Sequence, residues 1–354
     1  MRLAVMFIFI AFGIFMGLLG GIEKPKKKWW MLFVIFWVAL ASFLTLSPPL
    51  GGSFADAQMV ADIKDKRNVD VALVADPSSF EYHEEGYWFF QGSRKKHLFE
   101  VDVDESKRYD LVWDGKEIPE ELKSGKEVIV ELFYLQMEKV YFVNELKSVE
   151  PILSYPFVPA LLQRIRNLNF HVPMSWVAVI AFLISMIFSI KYLSKGNYKD
   201  DLKAASAITI GLLFTILATT TGMVWAKFNW GTYWNNDPRQ ITILVIMIIY
   251  FAYLILRSSI EDENKKARLS SVYSILSFIT VPFLFFIIPR QFASLHPGAK
   301  DDGTTGPVID TQAGMLDSEL ALTYYISLAG FIIIFFWLFS LYTRYKLLEY
   351  KQLD

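Results

Sequence analysis

The sequence predicts an α-helical polytopic membrane protein of about seven transmembrane helices, with an inserted extracytoplasmic all-β domain. Three observations carry this reading. Hydrophobic residues make up 54% of the 354-residue chain, more than an ordinary soluble domain holds. Seven uncharged apolar runs each approach the roughly 17–25 residues that a helix needs to cross hydrocarbon. Between the second and third runs, the pattern changes to short β-rich segments separated by Gly, Pro, Asp or Lys clusters.

The apolar runs are Leu3–Ile22, Trp29–Pro48, Met174–Ile190, Ala204–Ala226, Ile241–Leu256, Ser270–Pro289 and Leu320–Thr343. The first reads as a retained helix rather than a signal peptide: its basic residues follow the apolar core as "EKPKKK", and no small-residue cleavage pattern is evident. Lysines and arginines set orientation, because they favour cytoplasmic loops. "EKPKKK", "KYLSKGNYKDDLK", "RSSIEDENKKAR" and "RYKLLEYK" fall on one side if seven spans alternate, and that side is expected to be cytoplasmic. The other side receives the N-terminus, the insert from Leu50 to Phe170, the loop from Trp225 to Gln240 and the loop from Arg290 to Glu319.

The expected organisation has five parts: residues 1–28, an extra N-terminal helix with a basic cytoplasmic loop; 29–50, the first helix of the core; 51–157, the β domain; 158–170, an interfacial amphipathic segment; and 171–354, the five-helix remainder of the core. In the insert, "NVDVALVAD", "GYWFFQG", "HLFEVDV", "YDLVWDG", "EVIVELFYL" and "KVYFVNEL" are spaced as in an all-β barrel or sandwich. In "VPALLQRIRNLNF", Leu161, Leu162, Ile165 and Leu168 share one helical face, which suits a helix lying on the membrane.

Composition removes several function classes. A formal net charge of −1 argues against nucleic acid as a partner, since phosphate binding needs a surplus of basic groups. The chain has no cysteine, so disulfides, thiolate metal sites and thiol redox chemistry are excluded. No nucleophile with a base and no phosphate-binding Gly-rich loop stands out, so no catalytic constellation is assigned.

The four histidines carry the most information. His171, in "NFHVPMSW", and His296, in "RQFASLHPG", lie at the outer ends of two spans, on the side that holds the loop "WAKFNWGTYWNNDPRQ". Two such imidazoles can ligate one haem iron, and Trp225, Trp230, Tyr233 and Trp234 give flat apolar surface for a porphyrin. Arg239, Arg290 and Lys227 suit its propionates. A plainer reading stands beside this one: aromatic residues gather at membrane interfaces anyway, and Lys and Arg near helix ends snorkel. His83 and His97, in the β domain, read as surface residues.

"WGTYWNNDPRQ" resembles the tryptophan-rich signature of haem-handling membrane proteins of cytochrome c biogenesis, the CcmC and CcsA type, with Trp230, Gly231, Trp234, Asp237 and Arg239 matching its pattern. "NFHVPMSW" and "SLHPG" are similar to the family's two histidine segments. The resemblance covers Trp29 to Pro48 loosely and Asn167 to about Lys346 continuously. It implies that His171 and His296 are external axial ligands of non-covalent haem b and that the tryptophan loop contacts the ring. Asn236 stands where the signature has a third aromatic, so one wall is polar and suits hydrogen bonding to a propionate or a partner.

The tail of the insert looks like the oligonucleotide-binding-type (OB-like) barrel of the periplasmic haem chaperone CcmE. That chaperone captures haem through a histidine after its last strand, where this chain has Ser148, Val149 and Glu150. The implied role is to hold haem at the outer face of the bacterial cytoplasmic (inner) membrane and present it to an acceptor. The implied partners are a periplasmic haem chaperone or apocytochrome c, other membrane subunits of a maturation complex, and the lipid bilayer. Two alternatives stay open. One is a haem or ion transporter or channel, which the scarcity of ionisable groups in the spans disfavours. The other is a cytochrome c synthase, whose larger relatives carry further spans and histidines.

Overall fold

A computed structural model describes residues 2–62, 68–94, 107–135, 138–156, 161–296 and 318–353. Along the chain run α1 (Arg2–Leu18), α2 (Lys28–Leu46) and α3 (Phe54–Asp62), then β1 (Val69–Ala75), β2 (Glu81–His83), β3 (Tyr87–Arg94) and β4 (Arg108–Asp114). Next come α4 (Glu120–Lys123), β5 (Glu127–Leu135) and β6 (Val140–Val149). The remaining helices are α5 (Leu168–Lys195), α6 (Tyr198–Trp230), α7 (Pro238–Ser258), α8 (Glu263–Pro282) and α9 (Ser318–Leu353). The chain forms two compact units: Met1–Ser42 with Arg166–Met315 and Tyr324–Asp354, and Phe43–Ile165 with Leu316–Thr323.

Six helices in the described residues are long and apolar enough to cross a membrane: α2, α5 with the turn before it, α6, α7, α8 with its continuation, and α9. The first apolar run is also helical, but at 17 residues it sits at the short end of the spanning range. The segment expected to lie on the membrane as an amphipathic helix is instead a 3₁₀ turn, Leu162–Asn167, running directly into α5. Leu162 takes a left-handed φ of 48° that no continuing α-helix has, and residues 157–160 lie outside the described residues.

In lipid, apolar side chains gain little by leaving their surroundings for each other, so helices associate through close approach and buried polar contacts. Gly211 on α6 shows the close approach: a Cβ there would stand 2.9 Å from Ala181 Cβ on α5. Gly17 does the same for α1 against α9, where a Cβ would fall 2.5 Å from the Phe336 ring. Phe182 stacks on Tyr250 at 3.6 Å between ring centroids, and the hydroxyls of Ser185 and Ser274 meet at 2.9 Å. The Trp30 indole donates to the Met16 carbonyl at 2.7 Å, sharing this acceptor in the last turn of α1 with the Leu19 N–H.

Two prolines shape the helices beside the future cavity. Pro173, inside α5, has no N–H, so the Asn169 carbonyl loses its helical partner; the Ser327 hydroxyl from α9 donates to it instead. Pro282 ends α8, and the chain continues as a π-turn, Phe283–Ile287, and a 3₁₀ turn, Ile288–Gln291. At the opposite end of α7, Arg257 donates to both carboxylate oxygens of Asp201 on α6, at 2.8 and 2.5 Å. The sequence places Arg257 among the loop charges that set orientation; the structure makes it the last-turn partner of a carboxylate with 1% side-chain exposure.

The second unit is built on a closed barrel. Strand order is β1-β5-β6-β4-β3, with β2 added to β3, and a β1–β3 pairing closes the ring. All neighbours are antiparallel except β4 and β6, which are parallel. This closure selects the barrel over the sandwich. Leu73, Phe90, Leu111, Val130 and Leu132 fill it and are fully buried. Gly92 makes room for that packing, since a Cβ there would fall 2.6 Å from Leu111. Helix α3 lays Phe54 flat on Tyr109 at 3.8 Å and accepts the Tyr141 hydroxyl at its Phe54 carbonyl. "HLFEVDV", with His97, lies outside the described residues, while His83 stacks on Tyr87 at 4.7 Å.

Removing one member of a buried ion pair strands the other. Asp201→Ala is expected to lower stability by about 3–5 kcal/mol, read as a drop in the thermal midpoint in detergent; a midpoint within error of wild type would refute the assignment of that pair as a structural contact.

Candidate functional site

The N-terminal ends of α5 and α7, the C-terminal end of α6 and the turns after Pro282 enclose a cavity of ≈ 270 Å³. His171, Trp225, Trp234, Arg239, Arg290 and His296 line it, and Val179, Ile243, Ile246 and Leu284 form an apolar part. The wall is therefore mixed: imidazole, indole and guanidinium groups together with aliphatic side chains.

His171 is the fourth residue of α5. Its Nδ1 lies 2.9 Å from the Ala218 carbonyl and 3.2 Å from Thr221 Oγ1 on α6. A carbonyl only accepts, so in the neutral ring Nδ1 carries the proton and Nε2 keeps a lone pair. Gly222 lets the ring come this close: a Cβ there would stand 2.7 Å from His171 Cε1.

His296 is held by the α7 cap. Asp237 precedes Pro238 at the start of α7, and its side chain accepts the Arg239 N–H at 2.9 Å. The same carboxylate accepts the Ser294 hydroxyl at 2.6 Å and the Leu295 N–H at 2.9 Å, and it lies 2.9 Å from His296 Nδ1. Burial opposes the Asp237 charge. The hydrogen bond and charge of His296, with the Ser294 and Arg239 donors, outweigh it and hold the carboxyl well below the usual carboxylate range. Trp230 meets the His296 ring edge-on at 4.6 Å.

The tryptophan loop is internally fastened. Gly231 ends α6 with a φ of 84°, a left-handed stop that glycine takes without strain, and Lys227 donates to its carbonyl at 2.9 Å. The Trp234 indole donates to Asn236 Oδ1 at 2.9 Å. Gln240, buried in the first turn of α7, accepts the Asn235 N–H at 2.8 Å and donates to the Tyr233 carbonyl at 3.1 Å. Arg290 donates to the Phe286 carbonyl, tying its guanidinium to the π-turn.

The structure thus divides the residues singled out in the sequence. His171, His296, Trp225, Trp234, Arg239 and Arg290 line one cavity. Trp230 and Asp237 touch His296 without being among the lining residues. Gly231, Tyr233 and Asn236 shape the loop, and Tyr233 is 53% exposed. Sequence reading missed Gly222, Gln240 and the Ala218 carbonyl; none of them has a composition or spacing signal. It also missed Trp176, which lines the cavity and packs on Phe286 at 5.5 Å. Among the described residues, no group of three or more His, Cys, Asp or Glu is placed to hold a metal ion.

Comparison with known proteins adds three findings. Residues 154–353 match the family model described as CcmC, Heme exporter protein C. Heme exporter protein C of Paracoccus denitrificans is 26% identical over 174 residues, 49% of this chain and 69% of that protein. The proteins of the same name from Bradyrhizobium diazoefficiens and Escherichia coli K12 are 30% identical over 130 residues and 27% over 159. Those alignments cover 37% and 42% of this chain, and 49% and 61% of those relatives. The match to the family model begins after β6, so the barrel lies outside it.

Because Gly222 has no room for a side-chain carbon, Gly222→Ala is expected to push the His171 ring off the Ala218 carbonyl and lower stability by about 1–3 kcal/mol. The His171 ring-nitrogen resonances in ¹⁵N-histidine-labelled protein report the displacement; unchanged resonances would show that the glycine is not what seats the ring.

Proposed function

The chain belongs to the CcmC, heme exporter protein C, family of cytochrome c biogenesis membrane proteins, and on that premise we propose that it binds haem between His171 and His296 and presents it to an acceptor. The observation that carries this reading is the pair of imidazoles opening on one cavity, each with Nδ1 already engaged. Such Nδ1 contacts fix the tautomer and orientation in which Nε2 serves as the ligand. When haem is bound, the Nε2 atoms of His171 and His296 would be available to ligate its iron.

The remaining wall fits the same cargo. Arg239 and Arg290 are paired with propionates in this reading, since a guanidinium matches a carboxylate in two directions. Trp225 and Trp234 give flat surface, and Val179, Ile243 and Ile246 suit the apolar rim of the ring. At ≈ 270 Å³ the cavity is smaller than the roughly 300–1,000 Å³ of sites that bury most of a ligand. Part of a porphyrin then stays outside, as a carrier that hands on its cargo requires. No covalent step is assigned to this chain, and haem b is held by iron ligation and packing, without a covalent bond from the porphyrin to the polypeptide.

The lysine and arginine distribution supports an outer, extracytoplasmic position for this site and for the barrel in an inner membrane, with α1 counted as a seventh span. The barrel's strand order, with parallel β4 and β6 and a short helix between β4 and β5, resembles an OB-type barrel. We assign it to docking of the acceptor, a haem chaperone or an apocytochrome, where fusion raises the local concentration of the two sites. Ser148 and Val149 end β6 and Glu150 follows, so the position where the chaperone has its haem-capturing histidine offers none here. Other membrane subunits of a maturation complex complete the proposed partner set.

Visible absorption of the protein purified with haem available is expected to show a low-spin, six-coordinate spectrum, lost or converted to five-coordinate in both His171→Ala and His296→Ala. A haem-free wild type, or two variants with the wild-type spectrum, would overturn the proposal.

A further inference from the structure

We infer that Asp237 is a positioning residue that makes His296 the anchoring ligand and leaves His171 as the exchangeable one. The inference rests on the haem reading above. A carboxylate has about four lone-pair directions, and four protein donors meet this one: His296 Nδ1 and the Arg239 N–H at Oδ1, and the Ser294 hydroxyl and Leu295 N–H at Oδ2. Its side chain is 1% exposed. No acceptor capacity remains for haem or a propionate, so Asp237 acts on the iron only through the imidazole it holds.

The two histidines are therefore not equivalent. His296 is backed by a buried carboxylate, His171 by the neutral carbonyl of Ala218 and a threonine hydroxyl. A carboxylate behind the far nitrogen makes an imidazole a more basic ligand, and losing such a partner typically costs about 10–100-fold in affinity. Asp237 also fastens the segment 294–296 to the first turn of α7, so that His296 and the end of the tryptophan loop are held in one rigid frame. His171 sits on α5 against Gly222, but its Nδ1 partners are the neutral carbonyl and hydroxyl of one helix, with no carboxylate behind them. When haem is passed on, the His171 bond is the one that opens first.

The test is a double-mutant cycle on the full chain in detergent, with haem titrated into protein depleted of it. Asp237→Asn is the informative variant, because asparagine is as good a helix N-cap as aspartate, and so the α7 start is retained while the charge is lost. The expected results are haem affinity about 10–100-fold weaker, a more positive reduction potential, a lower thermal midpoint without haem because an amide accepts at only one of the two oxygen positions that the four donors share, and no further loss of haem affinity when Asp237→Asn is added to His296→Ala. His171→Ala is expected to keep more affinity than His296→Ala, and Asp237→Asn to narrow that difference. If Asp237→Asn binds haem with wild-type affinity and potential, or weakens binding equally in the His296→Ala background, the inference fails while the haem reading stands. If wild type binds no haem, both fall.

Discussion

A helix that ends or breaks at a membrane surface must find partners for its freed carbonyls and amides, and the side chains around the cavity are placed by how this chain meets that demand. Inside the hydrocarbon no water is at hand to do so. Pro173 removes one helical donor, and Ser327 replaces it. The α6–α7 break is closed by Gly231, Gln240 and Asp237. The break after Pro282 is met by Arg290 on the Phe286 carbonyl. The interruptions occur around the N-terminal ends of α5 and α7, the C-terminal end of α6 and the turns after Pro282, beside the cavity. The site and the breaks in the helices are one feature.

The two units solve opposite packing problems. The barrel excludes water from a core of fully buried aliphatic and aromatic side chains such as Leu73, Phe90 and Leu132, the situation in which the hydrophobic effect works. The helical unit buries, beside its apolar side chains, serines and a carboxylate–guanidinium pair, with Ser185 on Ser274 and Asp201 on Arg257. Glycine and alanine bring its helices together; large side chains such as Phe182, Phe335 and Phe339 are buried between them, while others, such as Ile255 and Leu276, lie exposed.

Much of this was legible in the chain. Apolar runs locate the helices because the bilayer imposes a length, and alternation locates β1, β3, β4, β5 and β6 because a strand has two faces. The two histidines and the tryptophan loop stood out because imidazole and indole are uncommon and were clustered. What escaped detection depends on through-space relations. Alternation cannot say that β1 pairs with β3 and closes the sheet. Gly222 looks like any glycine in an apolar helix until the His171 ring is against it. Asp237 matched a pattern, but its partners in 294–296 lie more than fifty positions away in sequence. The seven-run count meets a 17-residue first helix, where length alone does not distinguish a span from a shorter helix.

Asn236 ties the backbone of the loop to one of its tryptophans. Its φ of 53° lies in the left-handed region, which asparagine visits readily and bulky side chains occupy at a cost of roughly 1–2 kcal/mol. The same residue holds the Trp234 indole. An aromatic side chain here would strain the backbone and release the indole together. Asn236 serves the turn and the tryptophan at once, and no aromatic residue can take over both tasks.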